Sequence, residues 1–321
     1  MNIKPVSGVL MPRPEFELID WIRARVTDRP PVVLGIGDDA ACLQAPHRGE
    51  SLVTIDMVME GTDFTFPPAT PELVGRKSLA VNLSDIAAMA GRPTAAFIST
   101  ALPNSRGPQF ARELHTGIIQ LADEYGVVIA GGDTNSWNGP LVISIVVVGE
   151  PFGLAPVRRS GAKPGDWLFV TGEVGGSLPS HRHLTFTPRI AEAEKLVSSV
   201  SLHAMLDISD GLAADLYHIL NASQVGAIVD AAHVPLSAAA RSAADGRSPL
   251  FHGLGDGEDF ELLFTVSPED GQRLVSTWRE STPVTKIGEI THERGARLRL
   301  PDGTIEPLAA MGWTHQLGAR Q

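Results

Sequence analysis

Gly35-Ile36-Gly37-Asp38-Asp39-Ala40 follows a short apolar segment, Val32 to Leu34, in the strand-then-glycine order of a dinucleotide-binding turn. The phrase fits G-x-G-x-x-A, and Asp56 lies about where such a fold places its ribose-binding acid. Two features argue against that fold. Asp38 and Asp39 would put two negative charges in the pyrophosphate cradle, where backbone N–H groups and a helix N-terminus should stand alone. The stretch from Ala41 to Glu50 contains Pro46 and Gly49, which leaves no room for a crossover helix before the next strand, Ser51 to Ile55. Hydride transfer is disfavoured.

Outward from this turn, helices and strands alternate. Phe16, Ile19, Ile22 and Val26 recur at helical spacing and predict an amphipathic helix over Glu15 to Val26. Pro71 to Ala90 predicts a helix rich in Leu, Ala and Met that carries Asn82 and Asp85. Strand Ala95 to Leu102, helix Gln109 to Tyr125 and strand Val127 to Ala130 follow, ending at Gly131-Gly132-Asp133, and the apolar strand Leu141 to Gly149 closes this half. Glu150 to Asp166, rich in Gly, Pro and Arg, makes the boundary, which divides the chain into 1–150 and 151–321. Beyond it, strands are expected at Trp167 to Thr171, Ala204 to Ile208, Ala227 to Asp230, Asp259 to Val266 and Thr285 to Ile290. Helices are expected at Arg189 to Val200, Leu212 to Ser223 and Pro268 to Glu280, with a hairpin turning at Pro301-Asp302-Gly303. The expected class is α/β, of the α+β type, in two halves of similar size.

With 321 residues and 43% hydrophobic composition, the chain can bury two cores. Its formal charge of −11 argues against a nucleic-acid or anionic-membrane partner, either of which would want a basic face. Cys42 is the single cysteine, so an intrachain disulfide or a thiolate metal cage is excluded and a reducing cytoplasm is the expected compartment. Met1 to Pro14 has no apolar stretch of signal-peptide length, and Val142 to Val148 has the length of a strand rather than of a membrane span.

The acids of interest end apolar segments: Asp38 and Asp39, Asp56, Asp133, Asp207 and Asp210. Asp85 differs, lying inside an apolar helix. A carboxylate beside a core is costly unless it is hydrogen-bonded or holds a cation. Mg²⁺ takes oxygen ligands and is usually shared between carboxylates and substrate phosphates, so aspartates converging from separate loops suit a phosphate-handling metal site. Each Asp alone reads more readily as a turn or helix cap, and only the ensemble favours a metal site. A P-loop is lacking, because Gly75-Arg76-Lys77-Ser78 has no adjacent Gly-Lys and falls inside a helix. Arg159 and Lys163 are the natural phosphate cations, or else solvated linker charges. His181-Arg182-His183 reads as a surface loop, and no nucleophile elbow is evident. Gly257-Glu258-Asp259 runs into a buried strand and places carboxylates at its mouth; Trp313 is a core residue or an aromatic lid.

Six phrases stand in order along the chain: Gly35 to Ala40, Leu79 to Met89, Gly131 to Thr134, Arg159 to Asp166, Asp207 to Leu212 and Gly257 to Leu262. Together they resemble the thiamine-monophosphate kinases, members of the aminoimidazole-ribonucleotide-synthetase-like superfamily. The resemblance implies a two-domain fold whose N-terminal strands, from two protomers, build a barrel in a homodimer. It implies that ATP and thiamine monophosphate give ADP and thiamine diphosphate, the last step of thiamine diphosphate biosynthesis, without a phosphoenzyme and so without a catalytic nucleophile. On the family pattern Asp39, Thr54, Asp56, Asp85, Asp133, Asp207 and Asp210 would hold several Mg²⁺ ions. Gly132, Asp133, Arg159 and Ser209 would contact ATP, while Asp63, Glu258 and Trp313 would face the acceptor. Phosphoryl transfer needs alignment and charge neutralisation more than covalent help, which suits this set.

The chain departs from that pattern in places. Asp63 stands where His is common, Ile55 where a hydroxyl is usual, and Asp256 adds a charge to the second glycine turn. Gly172 to His183 looks shortened, without the expected helix. These departures keep two other readings open: a relative with a different small acceptor, and a nucleotide-binding protein without turnover.

Overall fold

A computed structural model of the chain describes residues 14–36, 42–45 and 49–313. Asp38 and Asp39 lie outside the described residues. The first half holds a four-stranded sheet in the order Leu52–Met59, Val142–Pro151, Gly91–Pro103, Val128–Trp137. Its first two pairings are antiparallel and the last is parallel. The parallel pair is joined by the helix Pro108–Glu124, long enough for the crossover that parallel strands require.

The second half is a seven-stranded sheet, ordered Ile305–Pro307, Gly295–Arg299, Gly226–Asp230, Val284–Thr291, Trp167–Thr171, Leu262–Val266, Leu202–Asp207. The hairpin expected at Pro301-Asp302-Gly303 is present, pairing Arg299 with Ile305. The strand expected from Asp259 begins instead at Leu262, because Glu258 and Phe260 take left-handed backbone angles (φ 63° and 51°) that an extended strand does not tolerate. Phe260 is held there by stacking on Phe186, ring centres 4.0 Å apart. His181-Arg182-His183 is not a loop: Arg182–Thr185 forms a short helix, His183 is buried and Arg182 pairs with buried Asp259.

The helix Pro71–Ala88 joins the two halves. Thr70 caps it by accepting from Leu73 N–H at 3.3 Å, and Pro71 starts it where no N–H is needed. It is buried nearly all round, which no amphipathic surface helix would be. One side packs on the four-stranded sheet and on Pro108–Glu124, the other on the strand Leu202–Asp207 and the helix Ile190–Ser199. A single apolar core therefore runs from Leu83 and Ile145 in the first half to Phe169 and Phe264 in the second.

The approach of this helix to Pro108–Glu124 depends on two glycines. A Cβ on Gly75 would lie 2.0 Å from the Leu114 carbonyl oxygen, and one on Gly117 would lie 1.9 Å from that of Glu72. Both obstacles are backbone, so neither can swing aside. Gly75→Ala is expected to destabilise the protein by about 1–3 kcal/mol, as overpacking does, read as a lower midpoint in denaturant unfolding at unchanged slope.

Candidate active site between the two halves

Lys77, Val81 and Asp85 recur every four residues, so they form one stripe of the central helix, and that stripe lines the junction between the two halves. Two clefts open on it. One, of about 420 Å³, is lined by Thr54, Asp85, Arg158, Arg159, Ser160 and Asp207 among others. The second, of about 260 Å³, is lined by Asp56, Asp63, Lys77, Ser209, Asp210 and Glu258, with Leu178 and Trp313 exposed at its mouth. Asp85 and Asp207 line both clefts, which makes them a shared wall.

The strand Leu52–Met59 sends alternate side chains to opposite faces. Leu52, Thr54, Asp56 and Val58 turn toward the central helix, and Thr54 Oγ1 donates to Asp85 Oδ2. Ile55 points to the other face and is 65% exposed, so a hydroxyl at position 55 would not reach Asp85. From the helix, Ser84 Oγ donates to Asp207 Oδ2 at 2.5 Å. Burial, with the adjacent Asp85 carboxyl, pushes Asp56 up to about 7. Asp85 is raised by burial too, offset by the Thr54 and Asp56 hydrogen bonds and by the charge of Arg159. Burial and Asp85 push Asp207 up to about 8. Three carboxyls held close to a low-dielectric core, with hydroxyls beside them, offer hard oxygen donors to divalent cations, although their ligand atoms do not all lie within 4.8 Å of one another.

The remaining expected residues divide between the clefts. Arg159 lies on the larger one, where sequence reading missed Arg158; Lys163 lines neither. Ser209, expected on the nucleotide, lines the smaller cleft, where its carbonyl accepts from Glu258 N–H at 2.7 Å. Asp210 takes part in another group: Asp210, Asp215 and His218 are the one trio of acids and histidines among the described residues whose ligand atoms lie within 4.8 Å of one another. Asp63 turns its carboxylate back onto its own loop, accepting from Met59 N–H at 2.7 Å. Trp313 is 55% exposed, its backbone N–H donating to the Asp210 carbonyl at 2.9 Å.

Asp133 and Gly132 are not brought to this junction. In register, Met57, Ser144, Ser99 and Asp133 lie in one row across the sheet, on the face away from the central helix. Asp56 belongs to the neighbouring row, with Ile145, Ile98 and Gly132. Asp133 thus sits three strands away, about 14 Å at ordinary strand spacing, and on the opposite face. Sequence reading also missed Lys77, whose ammonium is buried against Glu258. No helix among the described residues is long and apolar enough to cross a membrane.

Two α/β halves meeting over a shared acidic wall define the AIR synthase related architecture. The sequence matches the N-terminal domain of the AIR synthase related proteins over residues 37–150 and their C-terminal domain over 163–301. The chain is 40% identical over 311 residues to the thiamine-monophosphate kinase of Rhodopirellula baltica, covering 94% of this chain and 97% of that protein. It is 34% identical to that of Bacillus subtilis, covering 94% and 99%. Among solved structures, thiamine-monophosphate kinase from Stenotrophomonas maltophilia K279a superposes with a TM-score of 0.78 at 33% identity, covering 92% of this chain and 98% of that one. AaThiL complexed with AMPPCP and TMP gives 0.74 at 30% identity, covering 94% and 97%. The chain belongs to the thiamine-monophosphate kinase family.

Proposed function

We propose that this protein transfers the γ-phosphoryl group of ATP to thiamine monophosphate, giving ADP and thiamine diphosphate. The observation that carries the reading is the shared wall: a cleft with arginines and a cleft with a buried ion pair and an aromatic lip meet at Asp85 and Asp207. A donor in the larger cleft and an acceptor in the smaller one would face each other across these two acids. Arg158 and Arg159 offer planar forks to the donor's phosphates. Trp313 and Leu178 flank the acceptor's rings at the cleft mouth. The acceptor phosphate is already anionic and a competent nucleophile, so no side chain need take its proton. Asp56, Asp85 and Asp207, with Thr54, would hold Mg²⁺, which when bound supplies neutralisation of the phosphate charges. Incubation with MgATP and thiamine monophosphate should yield thiamine diphosphate by chromatography, and no product at high protein concentration would refute the reading.

In this proposal residues 1–150 carry the strand acids and residues 151–321 complete the clefts, in a cytoplasmic homodimer. Val53, Ile55, Met57 and Met59 project in a row from the outer sheet face, 37–65% exposed, an apolar patch that suits a second copy. A partner docked there would also cover the face that bears Asp133. Ile55→Glu is expected to convert a dimer to a monomer in light scattering; a monomeric wild type would rule this out.

The acids also imply a pH dependence. Asp56 and Asp207 ionise at about 7 and about 8 in the fold against 3.8 in a free chain, so the folded form holds protons that the unfolded form has released. Metal-free stability should accordingly fall as pH rises from about 4 to about 8, each group contributing at most about 1.4 kcal/mol per pH unit. Mg²⁺ should flatten that slope and displace protons on binding. Melting curves in chelator and in Mg²⁺ at pH 5.5 and pH 8 check this; parallel curves would contradict it.

A further inference from the structure

We propose that Lys77 and Glu258 form an ion pair that the acceptor takes apart, the ammonium passing to its phosphate and the carboxylate to its cationic ring. The inference rests on the acceptor being thiamine monophosphate, which carries a thiazolium at one end and a phosphate at the other. Lys77 has no exposed surface, and its Nζ donates to Glu258 Oε1 at 2.8 Å, to Oε2 at 2.7 Å and to the Asp63 carbonyl at 2.8 Å. Among the described residues, the cleft it lines bears six carboxyl groups, Asp56, Asp63, Asp85, Asp207, Asp210 and Glu258, and Lys77 is the sole Lys or Arg on that lining. It is thus the protein cation that an anionic acceptor meets there.

The geometry allows the exchange. The backbone of Glu258 is fixed, its N–H donating to the Ser209 carbonyl at 2.7 Å and its carbonyl accepting from Ser177 Oγ at 2.6 Å. Its side chain is 22% exposed toward the cleft, so the carboxylate can turn while the backbone stays in place. Lys77 carries its charge on a flexible four-carbon stem. Taking one member of a buried pair without supplying a substitute leaves an uncompensated charge, which is strongly unfavourable. A ligand with a cation alone draws Glu258 away and strands Lys77 against one carbonyl. A ligand with an anion alone strands Glu258. A molecule with both charges satisfies both, so the pair selects the phosphorylated vitamin over the free one by what it leaves unpaired.

The test uses the full-length protein with Mg²⁺ and a nonhydrolysable ATP analogue, binding measured by calorimetry and turnover with MgATP. Lys77→Met is expected to weaken thiamine monophosphate binding by about a hundredfold, as loss of one member of a buried charge pair does. It should tighten binding of thiamine by about tenfold, because Glu258 is released from its partner, and leave the KM for MgATP within twofold. Lys77→Arg should recover most of the affinity for thiamine monophosphate. A purely structural Lys77 would weaken both ligands together, and that result, or unchanged affinity for thiamine monophosphate, overturns the inference. Should Lys77→Met fail to fold, Glu258→Gln carries the test with the opposite sign: inorganic phosphate binds tighter and thiamine weaker. Inorganic phosphate bound no better by Glu258→Gln overturns the inference as well. A wild type that makes no thiamine diphosphate removes the functional reading and the inference together, whereas an active wild type with the wrong pattern removes the inference alone.

Discussion

Asp85→Asn is expected to lower kcat by about a thousandfold, the loss that follows removal of one preorganised charge from a phosphoryl-transfer site. The position has this magnitude because Asp85 lines both clefts and its charge acts on the acids on either side, Asp56 and Asp207. Asparagine has the same shape and still accepts from Thr54, so the fold should survive. Removing one of three mutually repelling acids should raise the metal-free melting temperature, most clearly at pH 8. Function and stability then move in opposite directions, as at sites where charge is concentrated for chemistry. Steady-state kinetics at saturating MgATP and a melting curve in chelator check the pair; wild-type kcat in this variant would remove Asp85 from the reaction.

The second large effect falls outside the clefts. Arg189 forks onto Glu261, Nε to Oε2 at 2.7 Å and Nη2 to Oε1 at 2.6 Å, with the Glu261 side chain 2% exposed. Burial pushes Glu261 up and Arg189 pulls it back, while Thr171 Oγ1 adds a third donor at 2.7 Å. Arg189→Met would leave that carboxylate buried without its cation and should cost about 3–5 kcal/mol in chemical denaturation. Arg189→Met combined with Glu261→Leu should recover much of the loss, because the unpaired charge, rather than the missing bonds, dominates the penalty. An equally unstable double variant would contradict that account. Glu261 lies three residues after Glu258, so weakened acceptor binding should accompany the loss of stability.

Local pattern made the elements legible. The helix Leu212–Ser223 and the strand Trp167–Thr171 have the bounds that periodicity and flanking residues predict, and the central helix differs by two residues at its end. Acids at strand ends were legible for the same reason, since a carboxylate closing an apolar run stands out in any register. Lys77 was not legible. Within Gly75-Arg76-Lys77-Ser78 it reads as a failed phosphate loop or a surface cation, and its partner Glu258 lies 181 residues away. Asp133 was legible as an acid after two glycines, yet its row in the sheet, and hence its face, follows from pairings with two other strands.

By itself, the sequence determined that two α/β halves form, that their acids sit at the ends or within apolar segments, and which family these phrases belong to. Those properties are local, set by spacing, propensity and the cost of a carboxylate beside a core. Only the tertiary structure decided which acids share a wall, that Asp133 turns to the opposite face, and that Lys77 is buried on Glu258. Such outcomes depend on strand register and on the packing of one buried helix between two sheets, and no short stretch of chain encodes either.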